Sequence, residues 1–141
     1  MTSANRQVVD RFYAAVIAND GAAIQAAISD GFAADAVMHI SDSLPYGGVY
    51  SGREAIQALV GQLARTRTPM VLVEKIAVRR MLEQGDEIAV DVEFPWLAPG
   101  ATQPILMAAV EWFTFRDGRI IEMTVSYWDT AACLQAMEAA R

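Results

Sequence analysis

The sequence is poor in the residues that anchor the most recognisable chemistries. It holds one cysteine and one histidine in 141 residues. A single cysteine, Cys133, excludes an intrachain disulfide, and without partner cysteines and histidines it excludes a zinc cluster. No glycine-rich phosphate loop and no metal-ligand spacing is present, so neither a cofactor nor a metal is expected. There is no run of 18 apolar residues, and "MTSANRQVVDRF" has no apolar signal core. No membrane partner is expected, and a reduced cytoplasmic setting is the default. Cations are scarce as well: 11 Lys and Arg stand against 17 Asp and Glu, for a formal charge of −6. Nucleic-acid binding draws on clustered basic residues, and the doublet Arg79–Arg80 is too little to supply them. Repeats, low-complexity tracts and linkers are absent, which leaves one domain over residues 1–141.

Apolar residues are plentiful instead. They make up 54% of the chain with glycine left out of the count, whereas ordinary domains reach about 45–50% with glycine included. The surplus suits a cavity lining, a subunit interface, or both.

Periodicity divides the chain into helices followed by strands. Residues 5–18 place Val8, Val9, Phe12, Tyr13, Val16 and Ile17 on one helical stripe, stopped by "NDG". Asp20 can cap a second helix carrying Ile24, Ala27 and Ile28. "DAVMHIS" reads as a short strand and "DSLPYGGVY" as a loop broken by Pro45, Gly47 and Gly48. Ser51 and Glu54 have capping-box spacing ahead of Ile56, Leu59, Val60 and Leu63. From residue 70 the period changes to two, giving long strands over 70–82, 87–97, 104–115 and 119–128 and then a weak closing helix. In the second strand Ile88, Val90, Val92, Phe94 and Trp96 alternate with Ala89, Asp91 and Glu93, one buried face and one wet one. Pro95 implies an edge or a bulge. Helices first and a meander after imply an α+β fold, with helices against one face of a curved antiparallel or mixed sheet.

Two stretches, "DAVMHIS…GVYSGREAI" and "VEWFTFRDGRI…SYWD", resemble the nuclear transport factor 2-like superfamily, which includes ketosteroid isomerases and SnoaL-like polyketide cyclases. The resemblance runs over nearly the whole chain. It implies a cone-shaped sheet wrapped around helices with a ligand cavity inside, and homodimers formed through the outer sheet face. Glu111 falls where the isomerases place an acid that donates to the enolate. The position of their catalytic base is Ile40 here, and their helical tyrosine aligns with Phe12, leaving Tyr13 one step round the helix. Asp129 matches the acid/base aspartate of the cyclases. The epoxide-hydrolase pattern keeps Asp91 but has Ala89 where its arginine belongs, and the dehydratase pattern needs two histidines where this chain has only His39.

Whether Glu111 faces the cavity depends on the turn in "FRDGRI". A two-residue loop pairs Arg116 with Arg119 and puts Glu111 opposite Thr124, in water. A three-residue loop with a bulge pairs Phe115 with Arg119 and puts Glu111 opposite Met123, inside. The inward register is favoured, because the other exposes Phe113 and Phe115 and because the resemblance puts the acid inside. It also turns Val110 and Trp112 outward. On the return strand Ile121, Met123, Val125, Tyr127 and Asp129 share the inward face.

The candidate catalytic residues are therefore Asp129, Glu111, Tyr127, His39 and Asp42. Several have a plainer reading beside the functional one. Asp129 precedes Thr130 as a helix cap would, Tyr127 could be a core ring, His39 a structural histidine between Met38 and Ile40, and Asp42 a turn residue. The candidate walls of the substrate site are Phe12, Met38, Ile40, Tyr46, Val92, Phe94, Trp96, Phe113, Met123 and Val125. Desolvation raises a carboxyl pKa, so Glu111 is expected to stay protonated and donate to an oxyanion, with Asp129 ionised nearer the rim. The expected function is cyclisation or isomerisation of a hydrophobic, polyketide-like carbonyl compound. The alternatives are a non-catalytic binding or association module, and an epoxide hydrolase or dehydratase in the same cavity.

Overall fold

Two side-chain caps open the first two helices. Ser3 Oγ accepts from the Arg6 amide at 2.9 Å at the start of α1 (Ala4–Ile17), and Asp20 accepts from the Ala23 amide at 3.1 Å at the start of α2 (Gly21–Gly31). The computed structural model describes residues 2–65 and 69–141, with Arg65 described by its backbone alone. The helices are followed by β1 (Phe32–Ile40), β2 (Gly48–Ser51), α3 (Arg53–Arg65) and a 3-10 turn (Val73–Lys75). Then come β3 (Ala77–Gln84), β4 (Glu87–Trp96), β5 (Ile105–Arg116), β6 (Arg119–Tyr127) and α4 (Thr130–Ala139).

The strands form one curled sheet in the order β2-β1-β6-β5-β4-β3, in which β1 and β6 run parallel and the other neighbours antiparallel. This is the expected α+β fold with a mixed sheet. The helices cover its inner face, and Val9, Ile24, Ile28, Phe32, Ile56, Ile88, Phe113 and Ile120 are completely buried between the layers.

Three local expectations change. Residues 48–51 form a strand on β1 rather than a loop, with Ser51 paired to Val37. Ser51 is thereby drawn into the sheet, and Gly52 takes the place before Arg53, where its carbonyl accepts from the Ile56 amide at 3.2 Å. The stretch 70–82 is not one strand. Leu72 N donates to Pro95 O at 3.2 Å, and Val71 bridges to Trp96, but Pro95 has no N–H to return and a regular ladder to β4 begins only at Ala77.

The β5–β6 hairpin combines parts of both expected registers. Asp117 (φ 52°) and Gly118 (φ 79°) form the two-residue mirror-image turn that pairs Arg116 with Arg119. That turn was expected to send Glu111 outward. The register then shifts between Phe115, paired with Ile120, and Thr114, paired with Glu122, so that Ile121 is an extra residue. The bulge turns over the rest of β6, so that Met123 and Val125 face inward as Ile120 does, and Glu111, inward on the regular β5 with Phe113 and Phe115, lies opposite Val125. Ile120, rather than Ile121, takes the fully buried position. Val110 and Trp112 accordingly lie half exposed on the outer face.

Candidate active site

Helix α1 and strand β5 meet through one pair of polar side chains. The Tyr13 hydroxyl donates to Glu111 Oε1. Around the pair lie the rings of Phe12 and Phe113, both within about 6 Å of the Tyr13 ring. Burial pushes the Glu111 carboxyl up from 4.5 to about 7, and the Tyr13 hydrogen bond pulls against that rise by favouring the ionised form. The same burial, with the carboxylate charge beside it, holds the Tyr13 phenol well above its usual 10.0.

A second polar group stands on the same inner face. Tyr127, at the end of β6, shares a hydroxyl–hydroxyl hydrogen bond with Tyr46, and Trp96 Nε1 donates to Tyr46 Oη at 3.0 Å. Tyr46 is held by its loop: the Tyr50 hydroxyl donates to the Tyr46 carbonyl at 2.6 Å. At Gly47 a Cβ would come within 2.2 Å of the Ser41 carbonyl oxygen, so only glycine lets the loop lie this close to β1. Tyr127 is held by Ser41, whose hydroxyl accepts from the Tyr127 amide at 3.1 Å. Burial pushes Tyr46 up to about 12 and Tyr127 well above 10.0.

Both groups open into one cavity of about 90 Å³. Of the expected wall residues, Phe12, Met38, Ile40, Tyr46, Val92, Phe94, Met123 and Val125 line it, together with Glu111 and Tyr127. The surface that Glu111 retains is therefore cavity surface rather than outer surface. Trp96 and Phe113 stand behind the wall instead. Trp96 is fully buried with its N–H on Tyr46, and Phe113 is fully buried against Phe12 and Tyr13. The lining also includes Tyr13, Val16, Leu59, Val60, Leu63, Val71, Val73 and Ile76, which the sequence did not single out. Their helical and alternating spacing marked them as core, and nothing in it separates core from cavity wall.

The other three candidate acids and bases lie elsewhere. Asp129 is exposed and caps α4, accepting from the Ala132 amide at 3.1 Å. The inward row of β6 ends at Tyr127, and the chain turns into the helix before Asp129 can join it. His39 and Asp42 pair with each other at 3.1 Å on the outside, with 47% and 79% of their side chains exposed. β1 alternates, so turning Met38 and Ile40 inward turns His39 out. Asp91 is bound on the outer face by Arg79 and Arg80, and the Arg79 hydrogen bonds hold its carboxyl below the usual range. Asp91 and Asp129 therefore do not meet in the cavity, as a hydrolase site built on them would need. Cys133 is a buried thiol that burial pushes up to about 11, too high to supply a thiolate at neutral pH. Among the described residues no three His, Cys, Asp or Glu side chains converge as metal ligands would, and no helix is long and apolar enough to cross a membrane.

Solved structures share this arrangement of sheet and helices. An NTF2-like protein of unknown function from Burkholderia pseudomallei superposes with a TM-score of 0.77 at 23% identity, covering 96% of this chain and 98% of that one. A candidate SnoaL-like polyketide cyclase from Jannaschia sp. CCS1 gives 0.76 at 19% identity, covering 98% and 94%. A protein of ketosteroid isomerase-like fold from Catenulispora acidiphila, solved with trimethylamine, gives 0.70 at 17% identity, covering 94% and 92%. At these identities the likeness establishes the fold alone. No curated protein matches the sequence. The fold class includes polyketide cyclases and isomerases. The profile of the SnoaL-like domain matches residues 9–123, from the helix that carries Tyr13 through the strand that carries Glu111, and the chain belongs to that family.

Proposed function

We propose that this chain is a cofactor-independent enzyme that moves a proton next to the carbonyl group of a small uncharged molecule, leading to isomerisation or cyclisation. One observation carries the reading: a carboxyl group, Glu111, pushed to about 7 inside an apolar cavity and gripped by Tyr13. A group titrating near neutrality is present in both forms, and its basic form is stronger than an ordinary carboxylate. Ionised Glu111 takes a proton from the carbon beside the carbonyl, and the C–H electron pair moves onto the carbonyl oxygen as an enolate. The acid so formed returns the proton to another carbon in isomerisation. In cyclisation the enolate carbon attacks a second carbonyl, whose oxygen takes the proton. Glu111 performs both halves, since Asp129 lies outside the cavity.

The walls bear on the substrate. Among the described residues no Lys, Arg or His lines the cavity, so an anionic substrate finds no counter-charge there. At about 90 Å³ the space is well under the roughly 300–1,000 Å³ of pockets for drug-sized ligands, which favours a single ring or a short chain. The test is exchange of the α-hydrogens of cyclopentanone in ²H₂O, followed by proton NMR. The wild-type protein is expected to accelerate it, and Glu111→Gln to lower that acceleration by roughly 10²–10⁴-fold. Equal exchange with the two proteins would sink the reading.

We also propose that the outer sheet face pairs with a second copy of the chain. Leu106, Val110 and Trp112 form an exposed apolar row on β5, and Leu82 and Trp128 stand exposed beside it. Arg79 and Arg80 share that face with Asp91 and Glu93, so a two-fold mate meets opposite charges.

A further inference from the structure

Trp96, Tyr46 and Tyr127 together have one hydrogen more than their mutual bonds use. The indole N–H can only donate, and it goes to Tyr46 Oη. One phenol hydrogen makes the bond between Tyr46 and Tyr127. The other phenol hydrogen has no further protein acceptor among the described residues. Both rings line the cavity. With Tyr46 accepting from Trp96, a head-to-tail run sends the Tyr46 hydrogen to Tyr127 and leaves the Tyr127 hydrogen for whatever occupies the cavity. In such a run each donor polarises the next, which strengthens the terminal one.

We propose that Tyr127 donates the hydrogen bond that holds the substrate's carbonyl oxygen and the enolate formed from it, and that Trp96 is a positioning residue acting through Tyr46. This rests on the reading of the cavity as a site for carbonyl compounds. The sheet sets the spacing. Glu111 pairs with Val125, and Tyr127 lies two residues farther along on the same face. Diagonal neighbours of this kind stand about 7–8 Å apart at the backbone. One compact ketone can then present its α-carbon to Glu111 and its oxygen to Tyr127. The Glu111 charge reaches both phenols and opposes their ionisation, so they remain donors while Glu111 acts as base. The Phe94 ring, edge-on to Tyr127 at 5.4 Å, fills the space beside the donor with an apolar group.

The test is the carbonyl ¹³C shift of labelled cyclopentanone bound to the protein, referenced to the ketone in hexane and in water. The wild-type protein is expected to move the signal downfield, past the hexane position. Tyr127→Phe is expected to return it to the hexane position and to weaken binding about 5- to 10-fold. Tyr46→Phe and Trp96→Phe are expected to bind within about threefold of wild type while reducing the shift, which loss of packing alone would not do. The proposal is overturned if the wild-type signal stays at the hexane position, if Tyr127→Phe keeps the full shift, or if the wild-type protein fails to bind the ketone at tens of millimolar. A full shift in both Tyr46→Phe and Trp96→Phe would remove the positioning role. The shift and the α-hydrogen exchange are independent. A shifted carbonyl without exchange refutes the acid/base reading of Glu111, and exchange without a shift refutes the donor reading of Tyr127.

Discussion

The hydroxyl of Tyr13 donates to the Glu111 carboxyl across 98 residues of sequence, joining the first helix to the middle of the sheet at the cavity wall. That bond and the apolar surroundings act on the same proton in opposite senses. Burial favours the neutral acid and the phenol favours the carboxylate, with burial the stronger.

Stability should therefore fall as the pH rises through the range where Glu111 ionises. The folded state holds the Glu111 proton up to about 7, whereas the reference carboxyl releases it at 4.5. Stability from this group is fully present below 4.5 and is lost as the pH rises through about 7. The difference amounts to about 3 kcal/mol as an upper figure. Urea titrations at acidic and mildly alkaline pH should show this loss in the wild-type protein and not in Glu111→Gln.

Removing the phenol should move the carboxyl further up. In Tyr13→Phe the hydrogen bond that favours the carboxylate is gone while the burial remains, so the Glu111 pKa should rise above about 7. Carboxyl ¹³C titration would measure this directly. The acidic limb of the cyclopentanone exchange profile, below which the Glu111 base is protonated, should move to higher pH with it.

Asp129 should matter to the terminal helix and not to chemistry. Asp129→Ala removes the cap on the Ala132 amide and should cost about 0.5–2 kcal/mol in stability. Cyclopentanone exchange should be unchanged under conditions where the variant is folded. A large loss of exchange would assign this residue a part that its position on the surface does not explain.

The turn at Gly118 should be costly to change although it touches nothing. A Cβ there would meet no atom within 4 Å, but the backbone has φ +79°. Gly118→Ala is expected to lose about 1–2 kcal/mol through conformation alone. Equilibrium unfolding of the variant would measure the loss.

A charge on the outer face should keep copies of the chain apart. Val110 is 44% exposed in the middle of the apolar row on β5. By light scattering the wild-type protein is expected to be a dimer, and Val110→Glu a monomer at the same concentration; a monomeric wild-type protein would refute the pairing. The fold should be retained, because the substitution faces away from the core.

Sequence alone determined the parts governed by local periodicity. The 3.6-residue spacing of Val9, Phe12, Tyr13 and Val16 and the two-residue spacing of Ile88, Val90, Val92 and Phe94 each mark a buried face, and those faces are buried as the pattern implies. Asp20, a single polar residue before an apolar stripe, gave the start of α2 for the same local reason. Tertiary structure decided the rest. Phe12 and Tyr13 are adjacent on one buried stripe, and only the placement of α1 over β5 makes Tyr13 the one that reaches Glu111. That Met123, Val125 and Tyr127 share the inner face with Glu111 hangs on the extra residue Ile121, which no rule about "RDG" could supply, because side chains alternate and one inserted residue reverses all that follow it on β6. Asp129 matched an inward-pointing acid by its position in the sequence, yet the strand ends at Tyr127 and Asp129, two residues on, became a cap. Periodicity tells a residue which layer it belongs to. Which partner it meets across the cavity depends on how distant segments are brought together, and that information is not local.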